Sequence, residues 1–159
     1  PVSALDVSIQ EQILCLLEEI QEKKKLSYFF ISHDLNVVKR ISRRMGVMYA
    51  GSLVEAGNTK DIYEDPWHPY TKALLSAVLV PDPFKARRKK GILHTEEKKM
   101  EIPLGRGCPF APRCGYASDL CFAGKPQKYQ YGEREIACFL YSEEHAGKRR
   151  SGLKMTSQI

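Results

Sequence analysis

Apolar residues recur at helical spacing along the first part of the chain. These residues are Ile9, Ile13, Leu16, Leu17 and Ile20. Residues three or four positions apart lie on one face of an α-helix. Ser8 and Glu11 have the spacing of a capping box, and a run of lysines ending at Lys25 suits the negative end of the helix dipole. The pattern predicts an amphipathic helix from about Ser8 to Lys25.

A continuous apolar and aromatic run occupies residues 28–31. Because this run does not alternate with polar residues, it predicts a strand buried on both faces, as in a parallel sheet covered by helices. Ser32, His33 and Asp34 follow at the carboxyl end of that strand, where open α/β sheets bind ligands. His33 is therefore a candidate functional residue, whereas Asp34 suits the start of the next helix.

Helical and strand patterns then alternate up to residue 80. In chain order we predict a helix over residues 35–44, strands over 46–50 and 53–56, a helix over 60–64 and a helix over 69–80. Gly51 and Ser52 suit the tight turn of a hairpin between the two strands. Thr59 suits the N-cap of the fourth element, and Pro69 suits the first turn of the last one.

Composition divides the chain into a core-forming segment and a small appended module. The 159 residues are 43% hydrophobic and carry a formal net charge of +6. Much of the positive charge lies in residues 85–99 and 148–154, and such runs are typical of solvated linkers and tails. The sequence shows neither an apolar stretch of about 18 residues nor a signal peptide, which predicts a soluble cytosolic protein.

Four cysteines mark the appended module. Cys108, Cys114, Cys121 and Cys138 have the spacing C-x5-C-x6-C-x16-C in a region rich in Pro and Gly. Because this region has too few apolar residues to form a core, we predict that a metal or a cross-link organises the module. Zinc ribbons usually carry C-x2-C pairs, whereas four-cysteine iron–sulfur sites tolerate varied spacing. Zinc remains open, and disulfides are disfavoured in a reducing cytosol. Cys15 suits a small buried apolar position.

An ordered set of motifs carries a resemblance to a known family. The set consists of Ser3, Ala4, Leu5 and Asp6, then His33, then residues 47–51 and 54–57. It resembles the second half of an ABC transporter ATP-binding subunit. Residues 68–77, which begin His68-Pro69-Tyr70, and the Cys-rich end resemble the oligopeptide/dipeptide import branch of that family. The resemblance covers about residues 1–142.

The resemblance implies an α/β fold in two parts. The first is the C-terminal part of a P-loop NTPase (ABC-type) sheet-and-helix domain, and the second is a small Cys-rich, loop-dominated extension. The implied division is residues 1–80 for the ATPase part, 81–103 for a basic linker, 104–142 for the Cys-rich module and 143–159 for a disordered basic tail.

The resemblance also implies site residues and cofactors. Ser3, Ala4, Leu5 and Asp6 would form the D-loop, which crosses to a partner subunit and helps to shape the site of ATP hydrolysis with Mg²⁺. His33 would be the switch histidine, so His33 and Asp6 are the expected catalytic residues. The four cysteines Cys108, Cys114, Cys121 and Cys138 would hold a [4Fe-4S] cluster, with zinc as the alternative.

The implied partners are a second, homologous ATPase subunit, membrane permease subunits and, indirectly, a solute-binding protein. The resemblance implies that the protein is located at the cytoplasmic face of the cell membrane. The implied cargo is an oligopeptide or dipeptide, with nickel or another small solute as the alternative. The sequence contains no RRM, OB or helix-turn-helix pattern, so we expect no nucleic-acid partner.

The 159 residues lack the glycine-rich phosphate loop, the family's signature loop and the strand acids that hold Mg²⁺. A D-loop and a switch histidine contribute to a nucleotide site but do not assemble one, so we predict that this chain alone does not hydrolyse ATP. The alternative function is a non-enzymatic four-cysteine metal or iron–sulfur module attached to an incomplete α/β remnant.

Overall fold

The computed structural model describes residues 7–78 and 106–142, which form five α-helices and a four-stranded antiparallel sheet. Residues 1–6, 79–105 and 143–159 lie outside the description. The helices are α1 (Val7–Lys24), α2 (Leu35–Ile41), α3 (Thr59–Glu64), α4 (Pro69–Val78) and α5 (Asp119–Ala123). The strands are β1 (Arg44–Tyr49), β2 (Ser52–Asn58), β3 (Tyr129–Tyr131) and β4 (Arg134–Ile136). Single 3-10 turns cover Ala111–Arg113 and Phe139–Tyr141.

The first helix, α1, confirms the prediction made from its apolar spacing. Its apolar stripe, however, is only partly covered, because Leu16 is 54% exposed and Ile9 is 42% exposed, while Ile13, Leu17 and Ile20 are half-buried. Arg40 of α2 reaches α1 and pairs with Glu11 and Glu18. Among the described residues, then, charged contacts contribute to holding α1 beside α2.

The predicted strand over residues 28–31 is wrong in this structure. These residues have no regular secondary structure, and Phe29 and Ile31 are 93% and 84% exposed. A strand forms only where another strand supplies hydrogen-bond partners, and none of the described strands lies alongside this run. The run therefore presents two large apolar side chains, two residues apart, to solvent, and exposed apolar side chains that lie close together favour association.

The predicted hairpin is confirmed, with its turn one residue earlier than expected. Strands β1 and β2 pair antiparallel, with Val47 opposite Glu55. The turn residues are Ala50 and Gly51, both at positive φ (45° and 74°), as a two-residue hairpin of matching twist requires. Met45, Val47, Val54, Ile62 and Leu75 bury the inner side of the hairpin against α3 and α4.

The predicted helix ends are confirmed at one position and differ at two others. The cap at Asp34 is confirmed, because its Oδ1 accepts hydrogen bonds from the amides of Asn36 (2.9 Å) and Val37 (3.4 Å). The helix predicted to reach residue 44 ends at Ile41, because the following residues turn extended and Arg44 begins β1. Thr59 is not an N-cap. It is the first residue of α3, and Asn58 precedes it.

The Cys-rich segment completes the sheet. The strand order is β1-β2-β4-β3, and β4 pairs antiparallel with β2, so that Glu55 lies opposite Ile136. The amide of Ala137 continues this pairing by donating to the carbonyl oxygen of Val54 at 2.9 Å. The described part of the chain is thus a mixed α/β unit with an antiparallel sheet, and no parallel strand pair occurs within residues 7–78 and 106–142.

Candidate functional site

Of the two predicted elements of the nucleotide site, the structure describes only the switch histidine. Ser3, Ala4, Leu5 and Asp6 lie outside the described residues. His33 is described, and it lies exposed in the loop between α1 and α2, one residue before the Asp34 cap. The amide of Asp34 donates to Ser32 Oγ at 3.0 Å, which fixes the loop on either side of His33. The imidazole of His33 is therefore placed on the surface by an ordered turn.

The four predicted cysteines come together around one cavity, which we call the cysteine cavity. Cys108 precedes a turn, Cys114 follows the first 3-10 turn, Cys121 lies in α5 and Cys138 follows β4. The amide of Cys108 donates to the carbonyl oxygen of Cys121 at 2.8 Å, which ties two of these segments together. Residues as far apart as 108 and 138 in sequence thus line the same small space.

The walls of the cysteine cavity come from both halves of the chain. Phe110, which is 1% exposed, forms one wall. Its ring packs edge-on against Tyr49 of the hairpin, with 5.2 Å between centroids, and it packs at a tilt against Tyr70 of α4, with 5.5 Å between centroids. His68 and Pro69 line the cavity from the α4 side. The aromatic contacts therefore fix the Cys-rich segment against the hairpin and α4.

Burial governs the electrostatics of the thiols. It raises the pKa of Cys138 to about 12 and that of Cys114 to about 11, and it also raises the pKa of Cys108. The other thiols of the cavity raise these pKa values further, because neighbouring thiolates repel one another. A bound cation reverses this balance, since a coordinating thiol loses its proton to the metal's charge.

All five cysteines are free thiols, including Cys15, which is exposed in α1 rather than buried as predicted. Within residues 7–78 and 106–142, no three His, Cys, Asp or Glu side chains stand in an arrangement that could hold a metal ion. The cysteines share a cavity, but a [4Fe-4S] or zinc centre remains a prediction.

His68 is the most buried titratable group beside the thiols, at 1% exposed. It stands immediately before α4 and caps that helix, because its Nδ1 accepts a hydrogen bond from the amide of Tyr70 at 3.0 Å. Burial lowers the pKa of His68 from 6.5 to about 4. The imidazole is therefore neutral at physiological pH.

We expect acid to destabilise the chain through His68. The unfolded chain takes up a proton near pH 6.5, whereas the folded chain does so only near pH 4. The stability that His68 contributes is complete above pH 6.5 and is lost as the pH falls toward 4, by at most about 3 kcal/mol. Urea denaturation at several pH values, compared with His68→Asn, measures it. Asn keeps an acceptor for the Tyr70 amide but does not titrate. The free energy of unfolding of His68→Asn should therefore fall less between pH 6.5 and 4 than that of the wild type. An equal fall in both proteins would contradict a destabilising role for His68 protonation.

A buried ion pair that the sequence did not reveal joins β2 to β4. Glu55 is 1% exposed, and its Oε1 accepts from Arg134 Nη2 at 2.7 Å and Nε at 3.1 Å. The same carboxylate accepts from the amides of Trp67 and His68, both at 2.9 Å. The Arg134 guanidinium also lies 4.2 Å from the centroid of the Trp67 ring. Glu55 thus links the hairpin, the Cys-rich segment and the loop that carries His68.

A wider open cleft of about 320 Å³ lies away from the cysteines. Its residues are Asn58, Asp61, Glu64, Asp65, Trp67, Tyr131, Glu133 and Arg134. It is larger than the cysteine cavity but contains none of the predicted site residues, and its one cation is already paired with Glu55. The chemistry of the cysteine cavity, rather than cleft size, marks the candidate site.

Comparison with known proteins defines the class of the chain. Residues 54–121 match the family described as "Oligopeptide/dipeptide transporter, C-terminal region". The chain is 46% identical over 149 residues to the oligopeptide transport ATP-binding protein AppF of Bacillus subtilis. It is 50% identical over 126 residues to the oligopeptide transport ATP-binding protein OppF of Salmonella typhimurium, and 45% identical over 140 residues to the dipeptide transport ATP-binding protein DppF of Haemophilus influenzae.

These matches cover 89%, 79% and 87% of this chain but only 44%, 38% and 42% of the three relatives. The chain therefore corresponds to the C-terminal region of ATP-binding proteins of ABC transporters. Within that class it corresponds to the C-terminal region of the oligopeptide/dipeptide branch. The chain spans less than half the length of these relatives. No helix among the described residues has the length and apolar character needed to cross a membrane.

Proposed function

We propose that this chain is the C-terminal region of an ATP-hydrolysing subunit that energises the import of oligopeptides or dipeptides across the cytoplasmic membrane. The observation that carries the proposal is 45–50% identity to three transport ATP-binding proteins over 79–89% of the chain. The relatives are named for both peptide classes, so the proposal covers both. Nickel or another small solute is the alternative cargo.

His33 is the proposed switch histidine of this subunit. Its support is that His33 is exposed on the ordered Ser32–Asp34 turn, directly before a helix start. An imidazole can donate to a γ-phosphate oxygen and orient the attacking water, and both contacts stabilise charge that develops in phosphoryl transfer. Ser3, Ala4, Leu5 and Asp6 are proposed to contribute the D-loop to the site of a partner subunit, in a reaction that uses ATP with Mg²⁺.

The exposed apolar run over residues 28–31 supports the same proposal. Phe29 and Ile31 stand in solvent just before His33. We propose that other parts of the ATPase domain cover these side chains and supply the phosphate loop and acids that the 159 residues lack. The subunit would pair with a second ATPase subunit and act on membrane permease subunits at the cytoplasmic face, downstream of a solute-binding protein.

We further propose that Cys108, Cys114, Cys121 and Cys138 bind a [4Fe-4S] cluster, with zinc as the alternative. Four soft sulfur donors line one largely apolar cavity, which suits the donor chemistry of either group. The thiol side chains must move to ligate, because their present arrangement would not hold a metal ion. When bound, the cluster would supply one-electron redox chemistry and positive charge that stabilises the four thiolates.

A chimera tests the proposed function. The matched residues of this chain replace the C-terminal region of the Salmonella OppF protein, to which they are 50% identical. We expect the chimera to hydrolyse ATP and the 159-residue chain alone to show no activity, because the chain has no phosphate loop. A chimera that is folded and binds ATP but never hydrolyses it would contradict the proposal. It would favour the alternative of a non-enzymatic cysteine module.

Metal analysis tests the cysteine site. After anaerobic purification of the chain we expect either about four iron and four sulfide, with broad visible absorption, or about one zinc and no visible band. Cys114→Ser should lose most of the metal, and Cys15→Ser, which changes an exposed thiol of α1, should keep it. Metal-free wild-type protein, or equal loss in both variants, would contradict the assignment.

A further inference from the structure

The backbones of Cys108 and Cys121 are joined directly by a hydrogen bond. The amide of Cys108 donates to the carbonyl oxygen of Cys121 at 2.8 Å. Within residues 106–142, it is the only backbone hydrogen bond that joins two of the four cysteines. A contact of this kind places the two Cα atoms about 5–6 Å apart, and residues bridged by a disulfide usually have Cα atoms about 4.4–6.8 Å apart. The pair therefore has the backbone separation that a disulfide requires.

The same two residues line the cysteine cavity, and both are free thiols. The cavity has a volume of about 20 Å³. Because this is little more than the space that one water molecule needs, the groups that line the cavity lie close to one another. A cysteine has one rotatable bond before its sulfur, so the two sulfurs can approach by rotation about the Cα–Cβ bonds while the backbone hydrogen bond is kept.

The two thiols differ in their access to solvent. Cys108 is 8% exposed, whereas Cys121 in α5 is half-buried. Ser118 Oγ lies 3.7 Å from Cys121 Sγ, within hydrogen-bond distance for sulfur, and the amide of Cys121 donates to the carbonyl oxygen of Ser118 at 2.9 Å. A small oxidant therefore reaches Cys121 before it reaches Cys108.

We propose that Cys108 and Cys121 are a redox-responsive pair that forms a reversible disulfide with a small-molecule disulfide as the oxidant. The thiolate of Cys121 attacks one sulfur of the oxidant, breaks its S–S bond and releases one thiol. The thiolate of Cys108 then attacks Cys121 Sγ and releases the second thiol. The two cysteines lose two protons and two electrons, and the small disulfide is reduced to two thiols.

This inference stands apart from the proposed metal centre, because it requires only two of the four cysteines. Where the centre forms, the disulfide and the metal exclude each other, since the disulfide uses two of the proposed ligands. Disulfides in the cytosol are usually transient and often redox-sensing. The loop that the disulfide closes contains Phe110, whose ring contacts Tyr49 and Tyr70, so oxidation also ties together the segment that holds the module against the hairpin and α4.

Loop length distinguishes a disulfide directed by the fold from random pairing. In an unfolded chain, short loops close more readily than long ones, so random oxidation favours the links Cys108–Cys114 and Cys114–Cys121 over Cys108–Cys121. The fold predicts the opposite preference, because the backbone hydrogen bond joins Cys108 to Cys121 and not to Cys114.

The experiment treats the reduced, metal-free 159-residue chain with oxidised glutathione, once in buffer and once in concentrated urea. Remaining thiols are alkylated and counted. Cleavage after Arg113 and before Asp119 puts Cys108, Cys114 and Cys121 on different peptides, so mass spectrometry identifies each link. In buffer we expect the loss of two of the five free thiols, with Cys108–Cys121 as the main link. In urea we expect the two shorter links to predominate.

Two variants check the assignment in buffer. Cys121→Ser should leave Cys108 without its partner and abolish the link. Cys114→Ser is the matched control, since it removes another thiol of the same cavity and should keep the link. The same links in buffer and in urea would overturn the inference, as would cysteines that end bonded only to glutathione.

Metal uptake keeps this inference separate from the proposed centre. Where the reduced chain takes up Zn²⁺, the oxidised chain should take up none until a dithiol reduces it, and equal uptake by the two forms would contradict the inference. If the reduced chain binds neither Zn²⁺ nor iron with sulfide, the proposed centre fails, while the pattern of links still decides whether the fold directs this disulfide.

Discussion

Replacing Arg134 by Ala lowers the free energy of unfolding of the chain by about 3–5 kcal/mol, the cost expected when one partner of a buried ion pair is removed. The Glu55 side chain is 0% exposed, and that of Arg134 is 10% exposed. Without the guanidinium, the carboxylate keeps two backbone donors but loses its counter-charge. Arg134 also donates to the carbonyl oxygen of Asp65, so the loop before His68 loses a contact as well.

Urea denaturation of the chain measures this effect, and a second ion pair, which joins Glu135 of β4 to Lys128 just before β3, supplies the control. Lys128 and Glu135 lie 2.9 Å apart with side chains 56% and 31% exposed. Lys128→Ala should cost less than about 1 kcal/mol, because surface pairs contribute little. The double variant Glu55→Ala/Arg134→Ala should cost less than the sum of the two single variants. Additive costs, or an Arg134→Ala cost no larger than that of Lys128→Ala, would contradict the buried pair.

Replacing His33 by Ala in the Salmonella chimera reduces the rate of ATP hydrolysis about 10²- to 10³-fold. This is the usual effect of removing one donor that stabilises charge in the transition state. ATP binding should change much less, because the proposed contact strengthens only as charge develops on the γ-phosphate. Hydrolysis and nucleotide affinity are measured on the same preparation.

Asn36→Ala is the matched control for His33→Ala. Asn36 is exposed in the first turn of α2, three residues after His33, and only its backbone amide contacts the Asp34 cap. We expect this variant to hydrolyse ATP at the unsubstituted rate. If the two variants lost activity equally, the loop would matter for folding rather than for catalysis. If His33→Ala retained full activity, the switch assignment would be wrong.

Local sequence signals predicted the elements that local interactions determine. The spacing of apolar residues located α1, the glycine at position 51 located the hairpin turn within one residue, and Asp34 capped α2 as expected. These features depend on neighbours a few residues apart, and those neighbours are visible in the sequence.

The failures concern long-range partners. The run over residues 28–31 has the composition of a buried strand, but strand formation depends on pairing that this run does not have among the described strands. Glu55 looked like a polar residue in a hairpin, because nothing in the sequence connects it with Arg134, which is 79 residues away. The pairing of β2 with β4, which buries both charges, is likewise a tertiary feature.

The candidate site was predictable in composition but not in arrangement. The cysteine spacing identified the four thiols, and the structure places all of them around one cavity. The role of His68 was not visible as chemistry, because its significance comes from the Nδ1 bond to Tyr70 and from a wall built by distant segments. A histidine directly before a Pro-initiated helix is the signal that could have drawn attention to a side-chain cap.

The most direct measurement of the central claim is uptake of a labelled oligopeptide by Salmonella cells that lack their own OppF protein and produce the chimera. We predict uptake well above that of cells producing the OppF protein without its C-terminal region, and loss of that uptake with His33→Ala. A chimera present at normal levels that supports no more uptake than the truncated protein would contradict the claim that this chain serves a peptide-transport ATPase.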